Sequence, residues 1–252
     1  MAERSLAGRR IVVVGASAGI GRAFAIRAGK EGAKMVLAAR REERLAEVVT
    51  DCVGATTVSA DVRISADCQR IGRVAQEVLG NVDVLLVSSG YAPLKMFSDT
   101  TAQDWRDVFE TNVIGVHEVI RAHLPVLTPS AIVAVLSSDS VANPHTALGA
   151  YSSSKAALER CLQQWRIEHP GYRFSCVEVG GTVPTDFTSA FDPEVLDVAL
   201  HEWLRRGLVQ EARMTPEAVA EVLAGTIASA VEQPGVGLQH ITVVSPTGPM
   251  RT

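Results

Sequence analysis

The feature that most restricts how this chain can fold is a rhythm in which short runs of β-branched and apolar residues alternate with longer stretches of helical period. The runs are RIVVVG, KMVLAA, TTVSA, VDVLLVS, AIVAVLS, YRFSCVEV and LQHITVV, and helical stretches lie at 20–32, 42–52, 66–79, 101–124 and 151–168. Connections this short leave no room for antiparallel excursions, so the strands are expected to run parallel with right-handed crossovers. The strand runs are apolar at nearly every position, as strands covered by helices on both faces are. The pattern therefore predicts an α/β fold with a doubly wound parallel sheet. At 252 residues, 47% of them hydrophobic, the chain has the material for one such domain spanning 1–252. The stretch 180–214 breaks the rhythm, being longer and more irregular than the other connections. Within it Asp192-Pro193-Glu194 reads as N-cap, N1 proline and acidic first turn, and Thr215-Pro216-Glu217 repeats that pattern. Each predicts a helix start, and the first helix is expected to stop at Gly207.

Charge and sulfur usage narrow the function classes. The net charge is −4 and no block of Lys and Arg exceeds a pair, so neither nucleic acid nor an acidic membrane surface is an expected partner. A small molecule is. The apolar run at 11–14 is too short for a signal-peptide core, and no run approaches the ~18 residues of a membrane span. The expected location is cytoplasmic. Cys52, Cys68, Cys161 and Cys176 show no Cys-x-x-Cys spacing, and the six histidines include no His-x-x-x-His pair, so no metal site is expected.

Three stretches carry chemistry. GASAGIG, from Gly15 to Gly21, joins the first strand to the first helix; its glycines permit a tight turn and let backbone N–H groups approach a pyrophosphate. Gly15, Ser17, Ala18, Gly19, Ile20 and Gly21 are the candidate cofactor contacts, with a ligand-free glycine turn as the plainer alternative. No Gly-Lys-Ser/Thr follows, which excludes a Walker-type site. At the end of the second strand, LAARREERL places Ala39 where an NAD-preferring site carries an acid, and Arg40 comes next. A guanidinium there can fork onto a 2′-phosphate, so NADP(H) is favoured over NAD(H), while Arg41 and Arg44 read as a solvated helix start. Finally, YSSSK sets Tyr151 and Lys155 one helical turn apart on a single face. An ammonium ~4 Å from the phenol, at an effective dielectric near ~20, would favour the phenolate by up to ~4 kcal/mol and turn a group of pKa ~10 into a usable acid and base.

With these motifs in place, the whole chain resembles the short-chain dehydrogenase/reductase family in its compact type. Ser138 lies thirteen residues before Tyr151, Asn112 matches the family's helix asparagine, Asp61 and Val62 match the pair bordering the adenine, and GGTVPT resembles the Pro-Gly-x-Val-x-Thr segment over the nicotinamide. The resemblance implies a seven-stranded Rossmann sheet in the order 3-2-1-4-5-6-7, and a homodimer or homotetramer. It implies that Ser138 polarises a substrate carbonyl, Tyr151 gives it a proton, Lys155 lowers the tyrosine pKa and grips the ribose, and Asn112 holds a water linking Lys155 to solvent. It also implies cofactor contacts at Ser89, Gly90, Tyr151, Lys155, Gly181, Val183 and Thr185. A plainer role is open for Ser138, capping a turn at a strand end, and for Asn112, bonding the backbone.

Two departures stand out. Val87-Ser88-Ser89-Gly90 replaces the family's Asn-Asn-Ala-Gly, leaving Ser88 and Ser89 as candidates to replace the lost amide bonds, and Gly180 replaces a proline, which predicts a more flexible loop entry. The substrate is expected to be a carbonyl compound or secondary alcohol, hydrophobic if Phe187, Phe191, Leu196, Leu200, Trp203 and Leu204 of the substrate loop, about 182–214, form an apolar lid. The alternative is that these residues pack as an ordinary amphipathic helix. Two other functions stay open: an epimerase or dehydratase using the same Tyr/Lys pair, and a non-catalytic NADP-binding sensor or scaffold.

Overall fold

Each apolar run becomes a strand: β1 (Arg10–Val14), β2 (Lys34–Ala39), β3 (Thr56–Ser59), β4 (Val82–Val87), β5 (Leu127–Leu136), β6 (Arg173–Val179) and β7 (His240–Val243). The computed structural model describes residues 5–250 except 53, 190 and 249; the ends of the 1–252 domain reading and residue 190 of the 182–214 loop lie outside the described residues. The strands form one sheet in the order β3-β2-β1-β4-β5-β6-β7, every neighbouring pair parallel. Both the doubly wound sheet and its order are as expected.

Side-chain alternation divides the core in two. Ile11, Val13, Leu37 and Leu86 face one side, where they meet Phe24 of α1 (Gly19–Lys30), Leu45 of α2 (Glu42–Asp51) and Leu223 of α8 (Pro216–Val231). Their chain neighbours Val12, Val36 and Leu85 face the other, meeting Ile71 of α3 (Ser65–Leu79), Val119 of α5 (Gly115–His123) and Leu158 of α6 (Gly149–Glu168). Every one of these residues is at most 1% exposed, and each full burial stabilises the fold by roughly 1.5–3 kcal/mol. With both faces covered, the place where an open α/β sheet takes a ligand is the edge where the strands end.

The register makes that edge flush. Val14 stands beside Ala38 on one side and Val87 on the other, and Ala39 beside Ser59. The turns leaving β1, β2, β3 and β4 thus emerge together.

The stretch 101–124 is not the single helix its periodicity predicts. It divides into α4 (Ala102–Phe109), a π-helical turn over Glu110–Ile114, and α5. A π turn accommodates one extra residue and so rotates the side chains around it, and such turns recur at functional sites. Here Asn112 falls inside it and is fully buried. Further on, α7 (Pro193–Arg205) and α8 begin where the sequence places them. Asp192 Oδ1 accepts from the Glu194 N–H at 2.9 Å, and Thr215 Oγ1 from the Ala218 N–H at 3.2 Å. Helix α7 ends as expected, with the N–H groups of Gly207 and Leu208 returning to the carbonyls of Leu204 and Trp203 at 3.0 and 2.8 Å. Among the described residues no helix is long and apolar enough to cross a membrane.

Candidate active site

The glycine-rich turn is shaped by lack of room. A Cβ on Gly15 would sit 2.6 Å from the Ser89 nitrogen, and one on Gly21 would sit 2.4 Å from the Gly15 carbonyl oxygen. Only glycine lets β1, the start of α1 and the end of β4 approach this closely. Ala18, at the N-cap of α1, offers no side-chain cap, so Gly19, Ile20 and Gly21 present the first-turn backbone. Ser89 Oγ is buried without a hydrogen-bond partner. The substitution of serines for asparagines therefore does not restore the missing amide bonds through Ser89; Ser88 ties β4 to β1 by its backbone N–H alone, 2.8 Å from the Val14 carbonyl. A glycine cradle, an uncapped helix start and an orphaned buried hydroxyl together suit a dinucleotide.

The corner beyond β2 carries three arginines. Arg40 is exposed, and its charge faces Asp61 closely enough to help hold that carboxyl below its usual range, after the larger contribution of the Arg63 hydrogen bond. Val62, buried beside it, packs on Gly115. Arg41 and Arg44 are not simply solvated. Arg41 reaches Asp186 Oδ2 at 2.5 Å and Ser17 Oγ at 3.3 Å, and Arg44 pairs with the same carboxylate oxygen. Asp186 belongs to the segment after β6, where Met214 holds Gly181 and Val183 by backbone bonds and Thr185 meets Gly19. A groove of about 310 Å³ runs between these parts, lined among others by Ser17, Arg22, Arg44, Glu47, Thr185 and Asp186.

Ser138, Tyr151, Lys155 and Asn112 converge at the same edge. Tyr151 and Lys155 lie on the first turns of α6 and are 9% and 3% exposed. The Tyr151 phenol lies near Ser138, and burial, offset in part by the serine hydroxyl and reinforced by the Asp139 charge, pushes it up to about 12. Burial also pushes Lys155 down to about 8. Lys155 Nζ lies 5.8 Å from the tyrosine ring centre and donates to the Leu136 carbonyl, at the end of β5, at 2.8 Å. Burial raises the phenol pKa above its ordinary value.

Ser138 does what its plainer role requires as well, accepting from the Ser140 N–H at 3.2 Å to cap the turn after β5. Asn112 bonds backbone, though not that of its own helix. Its amide donates to the Tyr91 carbonyl and to Ser154 Oγ at 2.8 and 2.9 Å, and accepts from the Tyr91 N–H at 2.8 Å. It thereby fastens the loop after β4 to α6. A Cβ on Gly90 would lie 3.7 Å from both the Asn112 oxygen and Lys155 Nζ, so the three residues meet at one point.

The 182–214 region closes over this group. Phe187 packs edge-on against Tyr151 at 5.1 Å and against Phe191 at 5.4 Å. Phe191 and Ala199, flanked by Leu196 and Trp203, form an apolar cluster with Leu94, Leu148 and Tyr151. The packing of α7 expected of an amphipathic helix is thus observed, and it lies against Tyr151. Gly180 is more constrained than expected: its N–H donates to the Val243 carbonyl at 3.0 Å, and a side chain would come within 3.2 Å of Val244 and 3.3 Å of Asp139. A proline would lose the bond and collide with both. The sequence missed Asp139 altogether; it follows Ser138, and burial raises its carboxyl pKa. Only its place after that serine could have flagged it.

Comparison with known proteins agrees with this fold. The family model described as short chain dehydrogenase matches residues 9–195. An uncharacterized oxidoreductase of Listeria innocua is 28% identical over 95% of this chain and 97% of its own length. The hydroxysteroid 11-beta-dehydrogenase 1-like protein of Xenopus tropicalis is 36% identical, over 65% of this chain and 59% of its own. Among solved structures, a short-chain dehydrogenase/reductase (glucose/ribitol dehydrogenase) from Brucella melitensis superposes with a TM-score of 0.82 at 25% identity, covering 95% and 96% of the two chains. An alcohol dehydrogenase from Thermococcus sibiricus, complexed with 5-hydroxy-NADP, gives 0.78 at 20% identity, covering 97% and 98%, a likeness of fold.

Proposed function

The chain belongs to the short-chain dehydrogenase family, and on that premise we propose that it is an NADP(H)-dependent oxidoreductase interconverting a hydrophobic carbonyl compound and its secondary alcohol. The observation that carries the proposal is the convergence of the buried Tyr151 phenol with Ser138, in a site roofed by Phe187 and backed by the Lys155 ammonium. When bound, the nicotinamide supplies or accepts the hydride. The chain's residues handle the proton. Ser138 Oγ donates to the substrate oxygen and orients it, while Tyr151 Oη delivers its proton to that oxygen in reduction and receives one in oxidation. A phenolate left in so buried a place is costly, and the ammonium of Lys155, 5.8 Å from the ring centre, is placed to offset it. Asn112 and Gly90 adjoin Lys155, where a water would return the proton.

Gly15 to Gly21, Ser89 and Gly90 would hold the pyrophosphate and nicotinamide ribose, Asp61 and Val62 the adenine, and Gly181, Val183 and Thr185 the nicotinamide. The guanidinium cluster of Arg40, Arg41 and Arg44 supports a 2′-phosphate and hence NADP(H). The apolar cluster under α7 supports a hydrophobic substrate. The same reading takes the chain as one domain, working in the cytoplasm as a homodimer or homotetramer. The test is direct: purified protein is mixed with NADPH or NADH and a panel of ketones and aldehydes, and nucleotide absorbance is followed. Oxidation of NADPH by apolar ketones is the expected result. Binding without oxidation across the panel would overturn the enzyme reading in favour of a sensor.

A further inference from the structure

Arg41 and Arg44 are held by a single oxygen of a carboxylate that comes from the far side of the cofactor groove. Arg41 stands at the residue before α2, Arg44 in its first turn, and Asp186 opens the short helical turn Asp186–Thr188 that leads toward α7. The second nitrogen of the Arg41 guanidinium points at Ser17 in the glycine-rich turn, and next to Asp186 the Thr185 methyl lies against Gly19. The segment after β6 is therefore pinned across the groove by its anion, on the arginines that a 2′-phosphate would need. We propose that Asp186 is a specificity-determining residue: its carboxylate competes with the adenosine 2′-phosphate for Arg41 and Arg44, and so limits how strongly the chain prefers NADP(H) over NAD(H).

The chemistry of exchange favours the phosphate. One carboxylate oxygen serves two guanidinium groups, whereas a phosphate monoester brings about −1.5 to −2 charges and three acceptor oxygens. All three side chains are between 39% and 45% exposed, so the ion pairs are of the solvated, breakable kind. Nothing similar acts on a cofactor lacking the phosphate, because the 2′-hydroxyl offers no charge to trade for the carboxylate. The exchange also reaches the catalytic group. Phe187 directly follows Asp186 and covers Tyr151, so releasing the carboxylate frees the chain that roofs the phenol.

This inference rests on the NADP(H) reading, and the experiment separates the two. Adenosine 2′,5′-bisphosphate and adenosine 5′-monophosphate differ only in the 2′-phosphate. Their dissociation constants are measured by titration calorimetry with the parent chain, with Asp186→Asn, and with Asp186→Ala as a second variant. The expected result is that both variants bind the bisphosphate about tenfold more tightly than the parent does, as loss of two partly exposed ion pairs allows, while monophosphate binding is unchanged. A parent that prefers the bisphosphate, with variants that prefer it by the same factor, would overturn the competition and leave the NADP(H) reading intact. No preference in any of the three proteins would overturn both. Weaker monophosphate binding in the variants would also overturn the competition, because Asp186 would then be serving the ribose hydroxyls.

Discussion

At the residue scale the site is governed by burial. Tyr151 and Lys155 are each driven toward their neutral forms, the phenol up to about 12 and the ammonium down to about 8. Tyr151→Phe removes the only atom that can pass the proton while keeping the ring that packs on Phe187. Turnover should fall by at least about a thousandfold, with the dissociation constant for NADPH nearly unchanged; steady-state rates and a nucleotide titration measure both. Lys155 makes a different prediction. Below about pH 8 it is charged in the folded and the unfolded chain; between there and its ordinary value of 10.5 only the unfolded chain keeps the proton, so the parent gains stability as pH rises. Lys155→Met lacks that gain. Urea unfolding should show the parent gaining on the variant by up to about 3 kcal/mol between pH 7.5 and 10.5, and a constant difference would refute the buried ammonium. These residues were legible in the sequence because their spacing on one helix is local. Their true partners were not. Lys155 bonds a carbonyl nineteen residues earlier, and Arg41 meets an acid 145 residues later. No local pattern encodes either contact.

Elements turn these residues toward one another, and here the sequence was less explicit. A π turn shifts the phase of the helical pattern without a proline or other helix breaker to mark it, so 101–124 reads as one helix although Glu110–Ile114 departs from it. That departure puts Asn112 where it can bond Tyr91 and Ser154 at once. Asn112→Ala leaves the half-buried Tyr91 N–H and carbonyl without their Asn112 partner. The cost should be about 2–3 kcal/mol by chemical unfolding, whereas a surface asparagine would cost less than about 0.5. The Gly180 departure is settled by its neighbours on β7 and after β5 rather than by loop flexibility. Gly180→Pro, which restores the family's residue, should destabilise this chain by at least about 2 kcal/mol, since it removes the bond to Val243 and presses on Val244 and Asp139. A neutral or stabilising effect would mean that the loop yields where the packing says it cannot. By contrast the caps of α7 and α8 were readable, because an N-cap acid or hydroxyl and a terminal glycine act within a few residues of themselves.

On the scale of the whole molecule, the sheet brings distant loops to one edge, and a ligand there must join parts that the chain otherwise leaves to the segment after β6. The strand order followed from the family's motifs, and the parallel direction from the shortness of the connections. The closure of 182–214 over the groove had no such rule behind it, since α7 is amphipathic whether it covers a ligand or merely packs. A bound dinucleotide would bridge the turns after β1, β2 and β4 and the segment carrying Thr185, adding its binding energy to the fold and none to the unfolded chain. At about a hundred times its dissociation constant NADPH should add about 2.7 kcal/mol, which for a chain of this size raises the melting temperature by roughly 5–10 °C. NADH at the same concentration should raise it less, because the arginine corner gives it no phosphate to hold. Tyr151→Phe should keep the whole NADPH shift, since the phenol oxygen belongs to the chemistry and not to the bridge. Equal shifts from the two nucleotides would remove the 2′-phosphate from the account while sparing the fold and the proton transfer. Loss of the shift in Tyr151→Phe would instead make the phenol part of the binding site and undo the division of labour between the edge that holds the cofactor and the group that moves the proton.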